Sequence, residues 1–185
     1  ALEQQLSELS EQSDALPALQ AKTQAVLTQL NTESQKLSEQ RSQVARDLAK
    51  QVTEQVRRLE LEDATIDIQL APKAQCAEGQ DQVAFLFSAN PGSTPKALSK
   101  VASGGELSRV ALSIQVCIAE KMDTPTLIFD EVDVGIGGRT AAVVGELLKA
   151  LGASTQVFVV THQPQVAAAG QTHLHVSKIK SQDQT

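Results

Sequence analysis

The sequence predicts an α/β protein with a parallel-strand core, preceded by a long coiled-coil helix. Three observations carry this expectation. Residues 1–60 repeat leucines at heptad spacing and contain no glycine. Two apolar runs, TPTLIFDE and TQVFVVTH, flank a helical pattern over Thr140–Leu151, the length of one β–α–β crossover and hence of a parallel pair. The chain is 41% hydrophobic but only 2% aromatic, with no Trp and no Tyr, so its core must be aliphatic.

The helix comes first. One heptad position runs Leu2, Leu9, Leu16, Thr23, Leu30, Leu37, Val44, and its partner position runs Leu6, Ser13, Gln20, Leu27, Ser34, Arg41, Leu48. The first series is mostly apolar and the second is diluted, a seam with weak layers. A lone helix would leave the seam exposed, so a partner helix is expected. The alternative is an ordinary amphipathic helix lying on a globular body. Pro17 is expected to kink or interrupt the helix, because proline removes a helical hydrogen bond. The division expected is residues 1–60 as arm and 61–185 as globular part. Arg41, Arg46, Lys50, Arg57 and Arg58 make a basic stretch where the two meet, a solvated face or a DNA contact.

From residue 61 the composition changes. ATIDIQL and QVAFLF read as strands separated by a polar loop, Pro72 to Asp81. NPGSTPKALSK reads as a loop, Glu106–Lys121 as a helix, and THLHVSKIK as a last strand. The net charge of −6 argues against a protein that simply coats nucleic acid. Cys76 and Cys117 are too few for a disulfide scaffold and suit a reducing compartment. No run approaches the roughly 18 apolar residues of a membrane span, so a cytoplasmic location without membrane contact is expected. The chain opens in mid-pattern, as a part of something longer would.

Four features bear chemistry. Ser103, Gly104, Gly105 and Glu106 precede an apolar helical run through Leu107, Val110, Ala111, Ile114, Cys117 and Ile118. Ser103 and Glu106 fit a capping box. Two glycines do not, since each weakens the first turn. They make sense where something must approach a helix N-terminus closely, and a phosphate is the natural visitor. Asp130 and Glu131 end the run TLIFDE, where two carboxylates are costly unless they meet a cation or donors. Asp130 fits a magnesium ligand, direct or through water, and Glu131 a group that polarises water. The alternative is two acids starting a solvated loop. His162 ends FVVTH and, if the strands are parallel, emerges at the same edge, where it suits a transferred phosphoryl group. The glycine-rich VDVGIGGR, with Asp133, Gly135, Gly137 and Gly138, follows the carboxylates directly. It reads as a signalling loop or as a flexible connection. His173 and His175 share a strand face, but no third metal ligand is evident.

Together these features resemble the C-terminal lobe of an ABC-type ATPase head. ASGGE resembles the ABC signature, TLIFDE the Walker B strand with its glutamate, and VTH the switch-histidine loop, in the right order. The heptad arm before the signature points to the SMC-like branch. Within it, KVASGGELSRVALSIQ, FDEVDVGIGG and VTHQPQVAA closely resemble the RecN family of bacterial double-strand-break repair proteins.

The resemblance implies a set of roles. Ser103, Gly104, Gly105 and Glu106 would face the γ-phosphate of ATP on an opposite head. Asp130 would serve Mg²⁺, Glu131 would activate water, and His162 would sense the γ-phosphate. Asp133, Gly135 and Gly137 would lie in a head–head loop. Gly137 stands where the general ABC pattern has an aspartate. The implied cofactors are ATP and Mg²⁺. The implied partners are an N-terminal lobe with its own coiled-coil half, a second head, and DNA, in a nucleoid-associated setting. No Gly-Lys pair occurs in the chain, so the G-x-x-x-x-G-K-[ST] phosphate loop is not here, and the chain alone is expected not to hydrolyse ATP. Competing expectations are a catalytically inert coiled-coil dimeriser and the lobe of another ABC ATPase.

Overall fold

The structure is a computed structural model. It describes the backbone of residues 2–101, 103–119, 121, 122, 124–130 and 132–177, and the side chains of these from residue 15 on. The chain divides into two compact units, Ala1–Arg46 with Ile68–Ala84, and Asp47–Asp67 with Phe85–Thr185.

Helix α1 runs from Leu2 to Arg58 with Pro17 inside it. The expected interruption does not occur. Proline forfeits one hydrogen bond, and the long flanking stretches keep the rest of the cooperative ladder. In the first unit the seam residues Leu16, Leu27, Leu30 and Val44 are exposed. What α1 buries there is two small residues, polar Ser34 and apolar Ala45. Against it lies the turn between strands β1 (Thr65–Cys76) and β2 (Gly79–Ser88). These are hydrogen-bonded neighbours, and a two-residue link, Ala77–Glu78, requires them to be antiparallel. The expected polar loop from Pro72 to Asp81 is therefore mostly strand.

Polar side chains explain the difference. Ser38 Oγ donates to Asp81 at 2.8 and 2.9 Å, Arg41 Nη1 donates to Asp81 Oδ2 at 3.0 Å, and Arg41 Nη2 donates to the Glu78 carbonyl at 2.8 Å. Gln75 Nε2 donates to Ser34 Oγ at 2.6 Å. Gly79 sits at φ +98°, and a Cβ there would lie 3.0 Å from Arg41 Nη1 and 3.1 Å from Leu37 Cδ2. Only glycine meets both demands.

The second unit holds the aliphatic core. Strand β2 continues to Phe87 and Ser88 and pairs antiparallel with β3 (Lys96–Ala97). After a 3₁₀ turn at Leu98–Lys100, helix α2 spans Gly104–Ala119. Strands β4 (Thr126–Asp130) and β5 (Gln156–Val160) pair in parallel across helix α3 (Gly138–Leu151), as the sequence predicts, with Asp130 opposite Val160. Leu112 and Val116 of α2, Phe129 of β4, Val144, Leu147 and Leu148 of α3, and Val166 of α4 (Pro164–Ala167) form one cluster.

Two expectations are corrected. Helix α2 buries Val110, Leu112, Ser113, Val116, Cys117 and Ala119, whereas Leu107 and Ala111 of the expected face are exposed and Ile114 and Ile118 are half-buried. The helix is apolar on nearly every side, so periodicity alone does not choose its inner face. Residues 171–177 form no strand, and the rest of the expected last strand, residues 178–180, lies outside the described residues.

Candidate functional site

Strand β4 delivers its last residue, Asp130, to the carboxyl edge of the parallel pair with an exposed side chain. Glu131 lies outside the described residues. The chain then turns through Val132–Gly135, closed by Ile136 N–H donating to the Asp133 carbonyl at 3.2 Å. Asp133 is completely buried. Its Oδ2 accepts from Thr161 Oγ1 and from the Gln163 backbone N–H at 3.3 Å. Its Oδ1 has no hydrogen-bond partner, and His162 Nδ1 stands 3.6 Å away from it.

His162 follows β5 by two residues and its side chain is 68% exposed. The parallel register therefore brings Asp130, Asp133 and His162 to one edge, where ligands of open α/β sheets bind. The histidine loop is fixed at both ends. Thr161 is tied to Asp133, and Gln163 Nε2 donates to the Ile136 carbonyl at 2.9 Å. Pro164 then starts α4, whose Val166 is buried. Gly145 of α3 makes that seat possible. A Cβ there would stand 3.0 Å from the Gln165 carbonyl oxygen and 3.3 Å from Val166 Cα.

The signature-like segment meets the same loop. Gly104 and Gly105 are the first residues of α2, two positions earlier than the sequence predicts. Ser103 caps the helix by accepting Glu106 N–H at 3.4 Å, a long bond and one half of a capping box. The two glycines differ. A Cβ on Gly105 would lie 3.4 Å from the Gly135 carbonyl oxygen, and one on Gly135 (φ +73°) would lie 3.4 Å from Gly105 Cα. Backbone thus packs on backbone between the start of α2 and the glycine loop. Gly104 has nothing within 4 Å of such a Cβ, so its surroundings are open to a visitor. Gly137 (φ −162°) is extended and caps α3.

Several supporting residues escaped the sequence reading. Arg109 donates to the Gly105 carbonyl at 3.1 Å and to the Leu59 carbonyl at 3.0 Å, tying the first turn of α2 to the chain just after α1. Thr140 Oγ1 donates to Glu60 Oε2, where Glu60 holds φ +62°. Thr161 and Gln163 flank His162 and are the ligands of Asp133. Their signal was two polar residues around a histidine directly after an apolar run. Among the described residues there is no cluster of three or more metal-ligating side chains, and His173 and His175 are both exposed. Of the basic stretch, Arg41 is paired with Asp81, and Arg57 donates to the Ala64 carbonyl at 3.2 Å.

No protein-family model matches the chain. It is 45% identical over 180 residues to the DNA repair protein RecN of Vibrio cholerae, covering 96% of this chain and 32% of that protein. The chain belongs to the RecN family. The RecN of Rickettsia bellii is 40% identical over 189 residues, covering 100% of this chain and 34% of that protein. The chain thus spans about a third of the length of the curated RecN relatives it matches. Among solved structures, the Smc head domain with a coiled coil and joint from Pyrococcus yayanosii superposes with a TM-score of 0.60 at 21% identity, over 76% of this chain and 26% of that one. An SMC ATPase structure described for ATP-driven dimerization and DNA-stimulated activation gives 0.55 at 19% identity, over 75% of this chain and 81% of that one. These likenesses establish the fold as that of an SMC-type head with its long helix.

Proposed function

We propose that this chain supplies the C-terminal lobe of an ATP-hydrolysing head that acts in the repair of DNA double-strand breaks. The observation that carries the reading is the shared edge, with Asp130 at the end of β4, His162 two residues past its register partner Val160, and Asp133 between them in sequence and bonded to the histidine loop. RecN kinship over nearly the whole chain supports the repair role.

In this reading each residue has one task. Asp130 is an exposed hard-oxygen donor, and it fits Mg²⁺, which commonly takes one or two carboxylates and fills its other positions with water and phosphate oxygens. A bound Mg²⁺ would neutralise charge on the phosphates. Glu131, next in sequence, acts as general base toward the attacking water. His162 donates to, and so senses, the transferred phosphoryl group. Ser103, the open backbone at Gly104, and Glu106 present the start of α2 to a nucleotide held by a second head, where free N–H groups favour an anion. Gly105 packs on Gly135 on one side, whereas Gly104 has open surroundings, so Gly104 leaves the more room for a phosphate.

The sheet supports a second lobe. Ile128, Phe158 and Val160, on one face of β4–β5, are 73%, 45% and 58% exposed, an apolar face that calls for cover. An N-terminal lobe carrying the phosphate loop fits there, as a second coiled-coil half fits the exposed leucines of α1. The chain alone then hydrolyses no ATP, and its work lies at DNA in the nucleoid.

The test is steady-state ATP hydrolysis by a full-length RecN containing this sequence, with and without DNA, beside Glu131→Gln. A loss of roughly 10²-fold or more in kcat is expected for the variant, with no turnover by the 185-residue chain. Full activity in Glu131→Gln contradicts the assignment.

A further inference from the structure

The heptad seam of α1 changes its company within the first unit. One of its series runs Leu16, Thr23, Leu30, Leu37, Val44, and the other runs Gln20, Leu27, Ser34, Arg41. From Leu16 to Leu30 the seam is exposed, with Leu27 at 46% and Leu30 at 44%. The next three positions, Ser34, Leu37 and Arg41, all meet the tip of the β1–β2 hairpin. We propose that this tip takes the place of a partner helix on the seam from Ser34 onward. It thereby fixes where the second coiled-coil half ends, beside Leu30, a boundary that rests on the coiled-coil half read above.

The hairpin covers the seam by direct contact. Ser34 is buried and accepts from Gln75 Nε2 at 2.6 Å. Leu37 is half-buried, and its Cδ2 would stand 3.1 Å from a Cβ on Gly79. Arg41 pairs with Asp81 at 3.0 Å and donates to the Glu78 carbonyl at 2.8 Å. Packed helices have axes about 8–10 Å apart. A second helix therefore has no room on this stretch while the Gly79 backbone stands against Leu37.

The chemistry of the seam changes at the same place. Leu19 and Val26 flank it and are exposed, which widens the apolar stripe between Leu16 and Leu30. One and two heptads beyond Val26, the same flank carries Glu33 and Gln40. The stripe suits a helix with leucines at heptad spacing. Ser34 and Arg41 do not suit such a helix, because burial against leucine would leave a hydroxyl and a guanidinium without partners. The hairpin supplies those partners. Val44, the first seam position past the tip, is 61% exposed and stays so once the second half has docked.

This chain spans about a third of the length of its RecN relatives. The rest of such a protein is long enough to hold a helix matching Leu16–Leu30, about 21 Å at 1.5 Å per residue. A coiled coil with layers as weak as Gln20 and Thr23 is open to a slip of one heptad. The hairpin blocks a slip toward Arg41, and so sets the register of the two halves.

The test is maleimide labelling of single cysteines placed on α1, in a full-length RecN containing this sequence and in the 185-residue chain in dilute solution. Labelling is read by mass spectrometry of α1 peptides, which hold no native cysteine, and each rate is compared with that in urea. In the 185-residue chain, Ser34→Cys should be slowed about tenfold or more by the hairpin, and Leu27→Cys and Leu30→Cys should stay within about threefold of the unfolded rate. In the full-length protein, Leu27→Cys and Leu30→Cys should become about tenfold slower or more, while Val44→Cys stays fast. Rapid labelling of Ser34→Cys in the 185-residue chain overturns the proposal. So does a Val44→Cys as slow as Leu30→Cys in the full-length protein, and both results leave the coiled coil standing. Rapid labelling of Leu27→Cys and Leu30→Cys in the full-length protein overturns the coiled-coil reading, and the boundary with it. The comparison of positions 30 and 44 decides the matter even if the shorter chain fails to fold.

Discussion

Asp81, in the first unit, accepts Ser38 Oγ at 2.8 and 2.9 Å and Arg41 Nη1 at 3.0 Å. Asp133, in the second, accepts Thr161 Oγ1 and the Gln163 amide, keeps Oδ1 unpaired, and faces an exposed histidine across 3.6 Å. Both carboxylates take a hydroxyl donor. One is closed by a guanidinium and pins a β-turn to a helix. The other has one oxygen without a hydrogen bond, facing an exposed ring. A satisfied carboxylate holds structure in place. An unsatisfied one, buried beside an exposed titratable ring, leaves room for a change of partner, which is what a sensing site needs.

Each aspartate also depends on a glycine, and substituting the glycines sharpens the contrast. The largest effect should come from Gly145→Ala. Its Cβ would meet backbone of α4 at 3.0 Å, and backbone yields only by moving α4. A loss of about 1–3 kcal/mol in urea unfolding is expected, together with altered amide shifts at Thr161 and His162. Gly79→Ala should cost about 1–2 kcal/mol from its positive φ and the crowding of Arg41 and Leu37, with no change at His162. If both variants disturb the histidine loop equally, the two sites are not distinct.

The next effect is one of pH. The Ser38 hydroxyl foremost holds the Asp81 carboxyl below its ordinary value of 3.8; burial opposes it, and the hydrogen bond and charge of Arg41 add to the lowering. A depressed folded-state value means stability that is present above the unfolded value and lost as pH falls through the folded one. Asp81→Asn should therefore lower Tm at neutral pH, and its gap from wild type should narrow below about pH 4. A gap independent of pH would show that the charge of Asp81 is immaterial. The smallest effect should come from Ser103→Ala. Its capping bond is 3.4 Å long, so a cost of about 0.5 kcal/mol, the low end for a lost cap, is expected from thermal unfolding.

The parallel pair, its crossover helix and the shared edge were legible in the sequence because TLIFD and QVFVV are short apolar runs with a helical pattern between them. The order of Ser103–Gly105, Asp130 and His162 along the chain was legible for the same reason. The hairpin of β1 and β2 was hidden. Pro72–Asp81 is polar because its partners Ser38 and Arg41 are polar, and composition reads such a stretch as loop. The inner face of α2 was hidden as well, since both of its apolar stripes satisfy a helical period. The packing of Gly105 against Gly135 was hidden too. No local pattern reports a contact between residues thirty positions apart. The burial of Asp133 was equally out of reach, because an aspartate beside three glycines reads as exposed.

The most direct measurement pairs the two sites in one protein. It is ATP turnover and thermal unfolding of a full-length RecN carrying either His162→Ala or Asp81→Asn. Expected is a fall in kcat of about tenfold or more with Tm unchanged for His162→Ala, and a lowered Tm with kcat unchanged for Asp81→Asn. Full turnover in His162→Ala would contradict the account, since the edge built by β4, β5 and Asp133 would then not be where the phosphoryl group is handled.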